Sequence, residues 1–363
     1  MSLWHILFVS FPNNILLSIR ISISLFQKNS TMDRKLIIRN FGAIKEADIC
    51  LRDYNIFIGE QGAGKSTVAK LITILEDYVT DSASDLLSSF EEHNIASYFN
   101  DDTYIQYVGE EGTICYQDKE FDYEVPYETE VPVKNLYIPA ERFFVSTFSR
   151  SLATLVLNKA PIPNTLLNFA SVYEKAKKNY PNYNVPIFDL LFQTDKSSET
   201  LLLKTSNKTI PFKDASSGIQ SVIPLLMVLD YSIEEKEYNR FVIEEPELNL
   251  FPKTQIKLLQ QIIRKCPKVT ITTHSPYLLS AFNNLIEAGN ALKSNVSKAE
   301  EIYKLIPREC ILAFENVSAY KIEDGKVNSI LDEEYHLVVA DQIDSVADVE
   351  SQIFSELLSI EAQ

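Results

Sequence analysis

The apolar positions of this chain change their period several times, and each change marks an element. From Lys35 the pattern is strand, turn, strand: Leu36-Ile37-Ile38, a turn at Asn40-Phe41-Gly42, then Ala43 to Leu51 with Ala43, Ala47, Ile49 and Leu51 in alternate register. A third strand, Asn55-Ile56-Phe57-Ile58, runs straight into a glycine-rich loop. From Thr67 to Leu75 the period lengthens and sets Val68, Leu71, Ile72 and Leu75 on one helical face, and an acidic, serine-rich helical region continues to about His93.

Residues 100–213 have a different texture. Hairpin strands are expected near Tyr104 to Tyr116, Pro126, Pro161 and Pro181 break the chain, and short helices lie between; no heptad run is long enough for a coiled-coil arm. Beyond Asp214 helix and strand alternate again: a helix with Pro224 expected to kink or restart it, the strand Phe241 to Ile243, the helix Lys253 to Cys266, and the strand Val269 to Thr272. Tyr320 to Leu331 predicts a hairpin around Asp324-Gly325, and Ser345 to Ile360 a docked helix with Val346, Val349, Ile353, Leu357 and Ile360 on one face. The expected organisation is an α/β nucleotide-binding domain with a mixed, mainly parallel sheet, made of residues 33–99 and 214–363 and split by an inserted α/β subdomain at 100–213.

Composition narrows the partners. The formal charge is −16, from 50 Asp and Glu against 34 Lys and Arg, so the average field repels nucleic acid and anionic membrane, and any nucleic acid is expected to be reached only indirectly or through a local basic patch. Cys50, Cys115, Cys266 and Cys310 lie far apart without a CxxC pair, which fits neither a disulfide framework nor a zinc site and points to a reducing cytoplasm. The first 31 residues are apolar with Arg20 and Lys28 as their only formal charges, yet Pro12, Asn13, Asn14 and Arg20 argue against both a signal peptide and a spanning helix. They are expected to be an extension outside the fold, with Met32 standing as a candidate start just before the first strand.

Four short segments carry chemistry. Gly59-Glu60-Gln61-Gly62-Ala63-Gly64-Lys65-Ser66 has the GxxxxGK[ST] form, between a strand and a helix. Its small residues would let backbone N–H groups wrap a β-phosphate, Lys65 would reach the β and γ oxygens, and Ser66 would ligate Mg²⁺. Arg240 to Glu247 reads as a buried strand that ends in carboxylates: Glu244 would hold Mg²⁺ through its water shell, and Glu245 would orient or deprotonate the attacking water. Glu247 is expected to be structural or at a subunit seam. The competing reading is an acidic loop that merely caps the next helix.

Val269 to Pro276 is a second strand that ends in a polar group, and His274 at its carboxyl edge is placed to donate to a γ-phosphate, although an isolated histidine is more commonly a surface or core residue. Asp214 to Ser221 opens an apolar helix, where the serine hydroxyls and free N–H groups make either an anion site or an ordinary N-cap.

Together, Asn40-Phe41-Gly42-Ala43-Ile44, the Gly59 to Thr67 loop, Ser216-Ser217-Gly218-Ile219-Gln220, Glu244-Glu245-Pro246-Glu247 and Thr273-His274-Ser275-Pro276 resemble the ABC-type P-loop ATPases. The branch is the soluble bacterial one grouped with RecF, SMC proteins and the overcoming-lysogenization-defect (OLD) ATPases, and the resemblance covers roughly Lys35 to Tyr277 outside the insertion. It implies binding of ATP with Mg²⁺ and a homodimer or higher homo-oligomer that sandwiches ATP, Ser217 and Gly218 of one subunit meeting the γ-phosphate held by Lys65 of the other. Gly59, Gly62, Ala63, Gly64, Lys65, Ser66 and Thr67 form the nucleotide loop in this reading. The chain departs from the family at Ile219, where a second signature glycine is usual, and its Q-loop glutamine has no evident position.

The segment Leu136 to Arg142 also resembles one that recurs in small bacterial members, with Arg142 either a nucleotide or partner contact or a surface ion pair. Only 89 residues follow His274 and they are accounted for by strands, a hairpin and a helix, so no Toprim nuclease is expected within the chain. The resemblance implies an ATP-hydrolysing switch acting with a separate effector, such as a nuclease, in phage defence or DNA maintenance, without membrane contact. The alternatives are a transporter's nucleotide-binding subunit and an ATP-gated scaffold with little turnover.

Overall fold

A computed structural model describes residues 34–78, 86–109, 112–124, 134–148, 152–195 and 198–339. The apolar stretch 1–31 and the helix expected over 345–360 lie outside the described residues.

Strands β1 (Arg34–Phe41) and β2 (Ile44–Leu51) form an antiparallel hairpin with a register running from Arg34 opposite Leu51 to Phe41 opposite Ile44. Leu36, Ile38, Ala47 and Ile49 are buried on its inner face, as the alternation in sequence requires. β3 (Tyr54–Gly59) leads through the glycine loop into α1 (Lys65–Tyr78), followed by α2 (Leu86–Glu92). β4 (Tyr104–Gly109), β5 (Gly112–Gln117) and β6 (Glu120–Glu124) are an antiparallel meander, and β4 pairs with β1.

β7 (Asn135–Ile138) precedes α3 (Phe143–Phe148), α4 (Leu152–Leu157) and α5 (Asn164–Asn179). Next, β8 (Asn182–Val185), β9 (Leu190–Thr194), β10 (Glu199–Leu203) and β11 (Lys208–Pro211) make a separate antiparallel sheet. The chain then continues through α6 (Ser217–Glu234), β12 (Arg240–Glu244), α7 (Pro252–Lys265), β13 (Val269–Thr273), α8 (Pro276–Ser294) and α9 (Ala299–Leu305). It closes with β14 (Val317–Glu323), β15 (Lys326–Ser329), β16 (Leu331–Asp332) and β17 (Leu337–Val338).

Eleven strands form one mixed sheet in the order β6-β5-β4-β1-β2-β15-β14-β3-β13-β12-β7. Its parallel half, β14-β3-β13-β12-β7, aligns the carboxyl ends of β3, β12 and β13 on one edge. Every residue of β12 and β13 is buried; β12 accordingly carries the apolar run Phe241-Val242-Ile243, while β13 places threonines between and after Val269 and Ile271. Ile56 and Ile58 face one core with α5, α6, α7 and α8, while Phe57 faces the other with α1 and α2. This is the P-loop NTPase plan, a mixed α/β sheet covered by helices on both faces.

Sheet membership crosses the limit drawn from sequence at residue 100. β4 to β7 belong to the main sheet, and of the described strands between residues 100 and 213 those at 182–211 form a separate sheet. Of the two outcomes expected at Pro224, a restart does not occur, since α6 runs through it without ending. The ring removes one backbone hydrogen bond and costs about 3 kcal/mol, but Val222, Ile223, Leu225, Leu226, Val228 and Leu229 are all fully buried, each worth about 1.5–3 kcal/mol, and hold the helix in place.

A buried polar layer ties the centre together. Asn55 of β3 donates through Nδ2 to Thr270 Oγ1 of β13 at 3.1 Å, and its Oδ1 accepts from Ser318 Oγ of β14 at 2.6 Å. At the far end of the sheet Glu76 is buried between Arg34 and Arg240, the latter at 3.2 Å. Beside it, Asp77 Oδ1 accepts from the Asn135 backbone N–H at 2.6 Å and from Asn135 Nδ2 at 2.9 Å. Burial pushes the Asp77 carboxyl up to about 7.

The four cysteines are free thiols. Among the described residues no helix is long and apolar enough to cross a membrane.

Candidate nucleotide-binding site

The glycine loop leaves β3 and turns into α1 within six residues, so its backbone has little choice. Gly64 has φ +110, a conformation that side chains disfavour, and a Cβ there would stand 2.5 Å from Ile44 Cδ1. Lys65 opens α1 and is only 5% exposed. Its Nζ donates to the carbonyls of Gly59 and Glu60, each at 2.9 Å, and stands 3.8 Å from Glu245 Oε1. The loop therefore holds a buried ammonium at its centre, with four backbone N–H groups of the helix start unclaimed by helical bonds in the way all helix N-termini leave them.

β12 delivers three acidic side chains to the same edge. Glu244 is 4% exposed, and its Oε1 has no hydrogen-bond partner among the described residues. Burial raises its carboxyl above the usual range, opposed by hydrogen bonding from Ser66. An unpartnered, buried carboxylate oxygen beside a serine hydroxyl is an oxygen-donor pair of the kind that Mg²⁺ takes, so the residues present fit the ion.

Glu245 follows with φ +40, its backbone N–H donating to Thr272 O at 2.9 Å. Its Oε2 lies 3.6 Å from His274 Nδ1, so the structure brings Lys65, Glu245 and His274 together. Glu247 is 2% exposed and accepts from Thr273 Oγ1 at 2.5 Å and from the His274 backbone N–H at 3.1 Å. It is thus the acceptor that joins the end of β13 to the turn after β12.

A cavity of about 1110 Å³ opens over this edge, lined among others by Gly59, Gly62, Ala63, Glu245 and His274. Its opposite wall is the β14–β15 turn, with Lys321, Glu323 and Asp324. The hairpin was legible in sequence but its place at the cavity was not, because that place follows from β14 pairing in parallel with β3. Thr67 lies buried in the first turn of α1, and Ser66 is exposed beside it.

Ser217 and Gly218 begin α6 and do not line the cavity. Ser217 is exposed, while Gly218 packs so tightly on the loop after β12 that a Cβ would meet Asn249 O at 2.6 Å. Gln220 is buried and anchors this start: Nε2 donates to the carbonyls of Lys213 (2.9 Å) and Ala215 (2.8 Å), and Oε1 accepts from Thr147 Oγ1 at 3.2 Å.

Arg142 is neither on the surface nor at the cavity. Its side chain is completely buried, with Nη1 donating to Glu244 O at 2.7 Å and Pro139 O at 3.2 Å, and Nη2 donating to Glu245 O at 2.9 Å and Pro246 O at 3.1 Å. The expectation of a surface ion pair or ligand contact fails because β7 pairs with β12 and carries the residues after Ile138 beneath the acidic turn.

No curated protein matches the chain. Among solved structures, it is similar to the SMC head domain from Thermotoga maritima at 12% identity, with a TM-score of 0.45 over 83% of this chain and 99% of that one. An Smc head domain with an extended coiled coil, bound to the C-terminal domain of ScpA derived from Pyrococcus furiosus, gives 11% identity and a TM-score of 0.42 over 88% and 100%. The recombination mediator protein RecF-ATPrS of the RecFOR pathway gives 9% identity and a TM-score of 0.43 over 84% and 100%. The family model described as AAA ATPase domain matches residues 32–181 and 145–279, which include the glycine loop, the acidic strand and His274. On that match the chain belongs to the AAA ATPase domain family.

Proposed function

We propose that the protein binds ATP at the Gly59–Thr67 loop and hydrolyses it with Glu245 as the base. The observation that carries this reading is the convergence of Lys65 Nζ (3.8 Å) and His274 Nδ1 (3.6 Å) on the two oxygens of one half-buried carboxylate at the cavity edge. In this reading the loop N–H groups and Lys65 bind the β- and γ-phosphates, Glu245 orients a water and takes its proton, and His274 donates to the γ-phosphate. Ser66 and Glu244 would hold Mg²⁺, which supplies charge neutralisation on the phosphate oxygens when bound.

Ser217 and Gly218 are exposed or packed outside their own cavity, which supports a role toward a second copy: two subunits sandwiching ATP head to tail. Phe251 and Tyr277, exposed at the starts of the helices after the acidic turn and after His274, give that contact apolar area. We take the separate 182–211 sheet as the subdomain added to this ATPase, and an ATP-driven switch working with a separate effector, such as a nuclease in phage defence or DNA maintenance, as its biology. The four free thiols fit a reducing cytoplasm.

Phosphate release by wild type and Glu245→Gln tests the reading. The variant is expected to bind ATP as wild type does, to lose turnover by about 10²–10⁴-fold, and to accumulate an ATP-dependent dimer by size-exclusion chromatography. Unchanged turnover would remove Glu245 from the role, and absent turnover in wild type would favour an ATP-gated scaffold.

A further inference from the structure

We propose that Arg142 is a positioning residue for hydrolysis, a buried clamp that fixes the backbone of the turn bearing Glu245 and links that turn to the start of α6. The inference rests on the reading of Glu245 as the base.

Three successive carbonyls, those of Glu244, Glu245 and Pro246, converge on one guanidinium, at 2.7, 2.9 and 3.1 Å. Successive carbonyls of an extended strand point in opposite directions, so their convergence defines a tight turn that a planar five-donor fork can hold and a point-charge ammonium cannot. Glu245 sits inside this turn at φ +40, a conformation that costs any L side chain and persists only where the surroundings over-determine it. Two constraints meet at that residue: Thr272 O takes its N–H at 2.9 Å, and Arg142 takes its carbonyl. With both made, the side chain leaves the turn toward Lys65 and His274.

Arg142 does not line the cavity, so it reaches the nucleotide through the turn whose backbone it holds, and Glu245 is the residue of that turn whose side chain lines the cavity. It also stays charged at neutral pH, since burial lowers it only to about 10 against the pull of Glu247, Glu244, Glu245 and Glu141. Its other connection runs forward: Thr147, five residues on in α3, donates to Gln220 Oε1 at 3.2 Å, and Gln220 holds the two carbonyls that precede Ser217. A shift of Ser217 and Gly218 is therefore passed through Gln220 and α3 to the Glu245 turn.

The test is steady-state ATPase and nucleotide affinity of Arg142→Lys, alone and combined with Glu245→Gln. Turnover is expressed per molecule able to bind a non-hydrolysable ATP analogue, so that any unfolded fraction drops out. The expected result is a fall in kcat of tenfold or more with the affinity for the analogue within threefold of wild type. In the Glu245→Gln background the lysine change should produce no further loss. Wild-type kcat in Arg142→Lys, or a full multiplicative loss on top of Glu245→Gln, overturns the clamp. Where Arg142→Lys gives no binding-competent protein, the double variant Ser146→Ala/Thr147→Val decides instead, since it removes both hydroxyls that face Gln220 Oε1: a kcat lowered about threefold at unchanged affinity supports the link, and wild-type kcat overturns it. A wild type without turnover sinks the reading of Glu245 itself, which is a different outcome from a turning-over wild type that is indifferent to Arg142.

Discussion

Glu247 and His274 meet through a single oxygen. Glu247 Oε1 accepts the His274 backbone N–H at 3.1 Å, and the His274 ring Nδ1 stands 3.6 Å from the same atom. That oxygen also takes the Thr273 hydroxyl, so it holds the end of β13 in place and orients the residue that follows. Glu247→Ala would leave the Thr273 hydroxyl and the His274 N–H without this acceptor, at a cost of about 1–3 kcal/mol for each buried group. Urea unfolding is expected to show the loss, and Glu247→Gln, which keeps an acceptor oxygen, should recover most of it. Equal destabilisation by both variants would mean that the charge, and not the hydrogen bonding, matters.

Lys65→Ala is expected to abolish ATP binding in calorimetry while leaving the far-UV circular dichroism unchanged. Among the described residues the side chain holds two carbonyls of its own loop and an ion pair at 3.8 Å, so the fold is expected to survive its loss. Retained micromolar binding in this variant would contradict the phosphate role.

Asp77 predicts a pH dependence with a definite sign. Its folded pKa of about 7 lies above the ordinary carboxyl value, so the native state keeps a proton that the unfolded chain releases. Stability should fall as the pH rises from about 4 through about 7, by an amount on the order of a few kcal/mol. Asp77→Asn is expected to flatten this slope in thermal melts between pH 5 and pH 8; an unchanged slope would place the proton elsewhere.

Glu76 works in the opposite direction. Burial alone would raise its carboxyl, but Arg34 and then Arg240 hold it below its ordinary value, so its contribution is present at neutral pH and lost as acid protonates it. Glu76→Gln leaves two buried guanidinium groups facing each other and is expected to cost about 3–5 kcal/mol in denaturant unfolding. A cost under 1 kcal/mol would show that the two arginines find other partners.

Local chemistry was readable in the sequence, and chemistry assembled by pairing was not. The glycine loop, the acidic strand end and His274 announce themselves because each is a few contiguous residues at a strand terminus, and the three strands then lie side by side at β3, β13 and β12. Arg142 gave no such signal, since three of the carbonyls it holds, those of Glu244, Glu245 and Pro246, lie more than 100 residues away and are brought to it by the pairing of β7 with β12. The same limit hid the fate of β4, which reads as a hairpin strand of an insertion until its pairing with β1 puts it in the main sheet. At Pro224 the helix continues where a restart is one expectation: the local cost is real, but the burial of the residues around it outweighs it.

The polar layer at Asn55 sets how much error the site can tolerate. Gly59 and His274 each stand four positions beyond their member of that layer, Asn55 and Thr270. A slip of one residue between β3 and β13 would move the two ends past one another by about 3.3 Å. That is nearly the whole separation of Lys65 Nζ from Glu245 Oε1, 3.8 Å. The same slip would bring an apolar side chain opposite the Asn55 amide, so an alignment that ruins the site is also one that buries an unpaired amide. Folding thus proofreads the spacing of the reactive groups at a position none of them occupies.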